Sequence, residues 1–133
     1  MKAATSRADD RGAAAVEFAL VLPLLLILIF GIIDFGRMLN TKITLTEAAR
    51  EGARATALLG GDAGSARARL AADGYVISDP EVVQCPSSPD PDDDATVTVT
   101  YDFQFITPIS FLLGAGGDGT VELSAKGVMP CLG

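Results

Sequence analysis

Residues 11–34 read Arg11-Gly12-Ala13-Ala14-Ala15-Val16-Glu17-Phe18-Ala19-Leu20-Val21-Leu22-Pro23-Leu24-Leu25-Leu26-Ile27-Leu28-Ile29-Phe30-Gly31-Ile32-Ile33-Asp34. Ala13 to Ile33 carries one charge, Glu17, and has the roughly 20 apolar residues a helix needs to cross a bilayer. That run decides the architecture, because little else in the chain is so apolar. Glu17 is the difficulty. A carboxylate one turn inside such a run costs several kcal/mol unless it is paired or neutralised, so something has to meet it.

Working outward, residues 1–12 form a short polar leader in which Lys2, Arg7 and Arg11 face Asp9 and Asp10. Arg37, Lys42, Arg50 and Arg54 follow the apolar run closely, so positive charge barely decides topology. The short leader and the distal cysteines favour an N-terminus in the cytoplasm and an exported C-terminal part. A cleaved signal peptide fits less well: the apolar run is too long, and no small-x-small site closes it. Pro23 removes a helical hydrogen bond to Ala19 and is expected to bend or loosen the helix there, although prolines are tolerated in membrane helices.

The helix is expected to continue past the membrane, over residues 34–60. Phe35, Met38, Leu39, Leu45, Ala48, Ala49, Gly52, Ala53 and Thr56 keep a helical period. Glu47–Arg50 and Glu51–Arg54 are i,i+3 pairs that can support it. The face Ala48, Ala49, Gly52, Ala53 is small enough for a close neighbour: a sheet is the preferred reading, with helix–helix assembly left open. Asp34 reads as a marker of the water interface. Gly60-Gly61 stops the helix.

Residues 61–133 read as a small extracytoplasmic domain. Asp62 to Gly74 predicts a short helix with Asp62 or Ser65 as N-cap and Gly74 just past its end. Tyr75 to Gln84 is strand-like but broken at Asp79-Pro80. Ala95 to Phe105 alternates cleanly, with Val97, Val99, Tyr101, Phe103 and Phe105 on one face. Ile106 to Leu113 reads as a connector or short helix, Gly114 to Gly119 as a turn, and Thr120 to Val128 as the next antiparallel strand. The expected class is α+β: a long N-terminal helix, transmembrane and then amphipathic, packed on a small C-terminal antiparallel β-sheet.

Composition narrows function. The 133 residues hold one small domain plus an appendage, at a formal net charge of −7 with no clustered basic residues, so no nucleic-acid footprint is present. There is no His, which excludes imidazole catalysis and His metal ligation. No nucleophile–base pair can be assembled, so no catalytic residue is assigned and an enzyme is not expected. Asp90, Asp92, Asp93 and Asp94 match no calcium loop and read as a solvated acidic loop. The Gly116-Gly117-Asp118-Gly119 run lacks the Lys and Ser/Thr of a phosphate cradle. No cofactor or metal is called for. Cys85 and Cys131 are the chain's two cysteines, and a disulfide between them is the natural reading in an exported domain.

With those residues in place, the N-terminal third resembles a known family. The run from Arg11 to Pro23, together with Gly31-Ile32-Ile33-Asp34-Phe35-Gly36-Arg37 and Ala48-Ala49-Arg50-Glu51-Gly52-Ala53-Arg54, is similar to TadE-like proteins, minor pilins (pseudopilins) of tight-adherence pili. The resemblance implies a precursor cut by a prepilin peptidase at the Gly12–Ala13 bond, with Glu17 as the fifth residue of the mature chain. It also implies a role in initiating or priming a pilus. The partners would be the inner membrane, the peptidase, major and minor pilins and the assembly platform. Cleavage would free an amine at Ala13 that can meet the Glu17 of a neighbouring subunit and set register. The alternative is a bitopic membrane protein with an exported ligand- or surface-binding domain.

Overall fold

Leu and Ala favour helix, and from Ser6 to Leu59 the only strong helix breakers are Pro23 and four glycines. One uninterrupted helix results. The computed structural model describes residues 6–108 and 119–131, with side chains from Gly12 onward. Its first element, α1 (Ser6–Leu59), has 54 residues and is about 80 Å long at 1.5 Å per residue. It runs through Pro23 and takes in the second half of the expected leader. It ends at Gly60, whose φ of 97° lies in the left-handed region that lets the chain turn sharply into α2 (Gly61–Ala71).

Three strands follow: β1 (Glu81–Val83), β2 (Asp94–Gln104) and β3 (Thr120–Pro130). They form an antiparallel sheet in the order β1-β2-β3. β2 and β3 pair along their whole length, from Asp94 opposite Pro130 to Gln104 opposite Thr120. Alternation along β2 buries Ala95, Val97, Val99 and Phe103 on the face towards α1. The α+β expectation therefore holds, with the two long strands within a residue or two of their expected bounds.

The sheet lies lengthwise on the helix. Lys42 Nζ donates to the Ser124 carbonyl, and further along Gly127 sits on the backbone of Ala49. Small residues make this approach possible. Ala48, Ala49 and Ala53 have no exposed surface, and a Cβ on Gly127 would collide with the Ala49 carbonyl. The same small face also receives α2: a Cβ on Gly52 would press on Ala68 and Val97, and one on Gly64 would collide with Thr56 Oγ1. The face expected to hold a sheet thus holds both a sheet and a helix. Leu45, Ile77, Ala72 and Ala125 complete the core.

Several local expectations are corrected. Neither Asp62 nor Ser65 caps α2; its N-cap is Gly60, with no side-chain bond, and Ser65 Oγ instead donates to the Asp62 carbonyl at 3.0 Å. The residue after its C-cap is Asp73, at φ 38°, with Gly74 following at φ 88°. Of the strand-like stretch Tyr75 to Gln84 only Glu81–Val83 pairs as strand. Before it, Ser78 N–H reaches the Thr100 carbonyl at 3.0 Å, but Pro80 has no N–H to extend the ladder. The Glu47–Arg50 and Glu51–Arg54 pairs are not formed; Glu51 instead meets Arg67 of α2 at 3.7 Å. The acidic loop, by contrast, is solvent-exposed as expected at Asp90, Asp92 and Asp94, and it closes as a turn in which Asp93 Oδ2 accepts from Asp90 N–H at 2.8 Å and Asp93 N–H donates to the Asp90 carbonyl at 3.0 Å. The Ile106–Leu113 connector and the Gly114–Gly119 turn lie mostly outside the described residues.

Cys85, just after β1, is joined to Cys131, just after β3, with their Cα atoms 5.7 Å apart. The bond closes the end of the sheet far from the apolar run and spans 46 positions of sequence. Two measurements check this account. Replacing both cysteines with Ala should lower unfolding stability by about 2–4 kcal/mol in denaturant titrations of the detergent-solubilised chain. Gly127→Ala should cost about 2 kcal/mol or more in the same assay, because the atoms it meets are backbone and cannot rotate away.

Candidate functional site: the outer face of the helix and its membrane boundary

Among the described residues nothing buries the apolar half of α1 from Gly12 to Ile29. Val16, Leu20, Leu24, Leu28 and Ile32 are all more than half exposed, and the helix is long and apolar enough to cross a membrane. At its head Gly12 is exposed, with nothing within 4 Å of where a side chain would start. Glu17 is exposed too, and among the described residues nothing bonds to it.

Beyond the span the helix has two different faces. One, through Asp34, Thr41, Leu45, Ala48 and Gly52, is buried against the domain. The other stays open and apolar: Phe35 is 47%, Leu39 63% and Ile43 57% exposed. These three continue a row that begins inside the span. Glu17, Val21, Leu24, Leu28, Ile32, Phe35, Leu39 and Ile43 follow one another at steps of three or four residues and share one side of the helix. The pattern repeats every 11 residues, from Glu17 to Leu28 to Leu39, a period close to that of an undistorted helix. Glu17 thus lies in line with an apolar face that the described part of the domain leaves uncovered.

The boundary between span and domain is made by Asp34. Expected only to mark the water interface, it also holds the domain to the helix. Asp34 has no exposed surface. Its Oδ1 accepts from the Ile106 N–H at 3.3 Å, its Oδ2 from the Thr107 N–H at 3.2 Å, and the Thr107 hydroxyl donates to Oδ2 as well. Arg37, one turn on, stands 3.4 Å from Oδ1. The same guanidinium lies 5.2 Å from the centre of the Phe103 ring and reaches the Gln104 carbonyl at 3.5 Å. The donors come from 72 and 73 positions away in sequence, which is why no local signal announced them.

Beside this clamp lies a groove of about 410 Å³ between α1 and the sheet, edged by Arg37, Asn40, Tyr75, Tyr101 and Phe103. Tyr75 and Tyr101 meet edge to face at 5.2 Å, and Thr41 Oγ1 lies 3.3 Å from the Tyr75 hydroxyl. Among the described residues no cluster of carboxylates or cysteines is arranged to hold a metal.

Burial on its own would raise the Asp34 carboxyl. The Thr107 hydroxyl, the Ile106 and Thr107 amides and the Arg37 charge outweigh it and hold the pKa below its ordinary value of 3.8.

Residues 12–54 match the family model described as TadE-like protein. The N-terminal helix is TadE-like. The match begins at the exposed glycine and ends within α1, so it takes in Glu17, the span, Asp34 and the small face, and it leaves α2 and the sheet outside. No curated protein and no solved structure matches the chain. The TadE-like segment supports a pilin-like protein associated with a tight-adherence pilus, and its apolar helix supports a single-pass membrane protein.

The Asp34 clamp has a pH signature. A carboxyl whose pKa falls on folding contributes stability above its unfolded value, and that contribution is lost as pH drops through the folded value. At neutral pH, Asp34→Ala should cost about 1–3 kcal/mol, the usual penalty for leaving buried donors unpartnered. Denaturant titrations across pH should show the gap between wild type and variant narrowing below about pH 4.

Proposed function

We propose that this TadE-like protein is a minor pilin, made as a precursor and cut between Gly12 and Ala13, that helps initiate or prime a tight-adherence pilus. The observation that carries the reading is the division of labour on α1. The small face is occupied by the chain's own sheet and α2, while the row from Glu17 to Ile43 stays apolar and open for about 40 Å. An apolar face that runs continuously from membrane to water suits a neighbouring helix of the same kind, first within the bilayer and then in a filament. The TadE-like family is structural, and the chain's part in the assembly is to pack, not to catalyse.

Cleavage changes the chemistry at Glu17. In the precursor Glu17 sits in the fourth turn of α1; in the product it would sit in the second, four residues from a new amine at Ala13. A carboxylate near a helix N-terminus gains about 0.3–1 kcal/mol from the helix dipole, and a neighbour's amine offers it an ion pair. Glu17 would then act as a register pin between subunits. The uncrowded surroundings of Gly12 suit a peptidase of the membrane, and the Cys85–Cys131 bond suits an exported domain with the N-terminus in the cytoplasm. The further partners on this reading are the major and minor pilins and the assembly platform.

A second reading, a bitopic protein with a ligand-binding exported domain, has the groove beside Arg37 in its favour. Mass spectrometry of the native chain separates the two: a mature N-terminus at Ala13 supports the pilin, and an intact leader supports the alternative. Glu17→Ala should leave cleavage intact and strongly reduce piliation. Normal piliation by that variant would remove the register role.

A further inference from the structure

We propose that the turn leaving β2 at Ile106 rests on the lipid surface, so that the domain is seated on the bilayer at a second point besides its helix. The proposal uses the membrane-span reading of α1 and adds a contact the span does not require.

Asp34 is the first residue after the apolar run, so it fixes the level at which the helix leaves the bilayer. Its carboxylate holds the amides of Ile106 and Thr107, which places that turn at the same level as the end of the span. The pairing of the two long strands ends just before it, where Phe105 N–H donates to the Gly119 carbonyl at 3.1 Å. Ile106 therefore stands just past the last ladder bond, at the end of the sheet nearer the apolar run, with its backbone tied down and its side chain 67% exposed. Phe35, adjacent to Asp34 on α1, is 47% exposed at the same height. Arg37 extends from the next turn with its side chain 44% exposed, at a height where lipid phosphates are found. An anchored apolar side chain, an aromatic ring and a cation at one level fit the apolar–polar boundary of a bilayer, where interfacial groups sit about 5–10 Å into the headgroup region.

The occupant is lipid, because the patch is continuous with the apolar run at its one membrane-facing end. The other end of the sheet carries the disulfide and lies a strand length away, about 30 Å for the eleven residues of β2.

The chain contains no Trp, so a single introduced Trp reports its own surroundings. The full chain carrying Ile106→Trp would be reconstituted in vesicles of phosphatidylethanolamine and phosphatidylglycerol, with lipids brominated either near the headgroups or deep in the acyl chains as quenchers. Val83→Trp, on the strand next to Cys85, and Leu28→Trp, within the span, are the references. The expected result is a blue-shifted Ile106→Trp emission that the brominated lipids quench, with Leu28→Trp quenched by acyl-chain bromine and Val83→Trp unaffected. If Leu28→Trp is quenched and Ile106→Trp behaves as Val83→Trp does, the seat on the membrane is overturned while the span stands. An Ile106→Trp signal shielded from aqueous iodide but untouched by brominated lipid would assign the turn to a second copy instead, and overturns the proposal too. Loss of quenching at Leu28→Trp would overturn the span and the seat together.

Discussion

A charge at the end of a membrane-length helix has to be satisfied within a turn of the lipid, and Asp34 is where this chain meets that demand. Its carboxylate is closed off from solvent by two amides, a hydroxyl and a guanidinium. Without those donors the helix would place an unpaired charge beside hydrocarbon, and the sheet would have no fixed attachment at that level. With them, the exit of β2 is tied to the helix one residue past the apolar run. The remaining contacts of the domain lie further along the same helix: Thr41 at Tyr75, Lys42 at Ser124 and Ala49 at Gly127. The clamp therefore sets the near end of a lengthwise docking whose far end is closed by the disulfide.

That docking explains the composition of α1 beyond the span. A sheet and a second helix approach the same side, and only alanine and glycine leave room for both backbones. Ala48, Ala49, Gly52 and Ala53 are consumed inside the chain and are not available to another subunit. What remains for a partner is the opposite character, the larger side chains Phe35, Leu39 and Ile43 on an open side. The two faces divide the helix cleanly: small residues for the molecule's own domain, large ones continuing the membrane row for whatever comes next to it. Glu17 belongs to the second set by its position on the helix.

Much of this was legible because it is local. A 3.6-residue period, a glycine pair and a clean alternation are written within a dozen residues, so α1 to Gly60 and the buried face of β2 could be read directly. The TadE-like character of the N-terminal segment was equally readable, since its motifs are contiguous. What escaped depends on partners far away in sequence. Asp34 looked like no more than an interface marker because its amide and hydroxyl donors lie beyond residue 105. Glu51 was paired with its helical neighbour Arg54, while its partner Arg67 arrives only when α2 folds back. The stretch from Tyr75 looked like strand because Tyr, Val and Ile suit one, yet Pro80 cuts the ladder and Tyr75 is used to edge against Tyr101.

The same geometry links the helix to the domain mechanically. With Asp34 fixed to Ile106 and Thr107, the small face pressed on the sheet and α2, and Cys85 bonded to Cys131, the outer half of α1 and the domain have little freedom to move separately. A side chain added at Gly52, Gly64 or Gly127 would have to displace backbone or a buried neighbour. Close packing of this kind transmits displacement rather than absorbing it. A shift of the helix along its own axis would therefore carry the domain and the Ile106 turn with it. The cost of leaving the membrane is then set at two places, the apolar row of the span and the boundary at Asp34. The second is the one the folded domain itself creates.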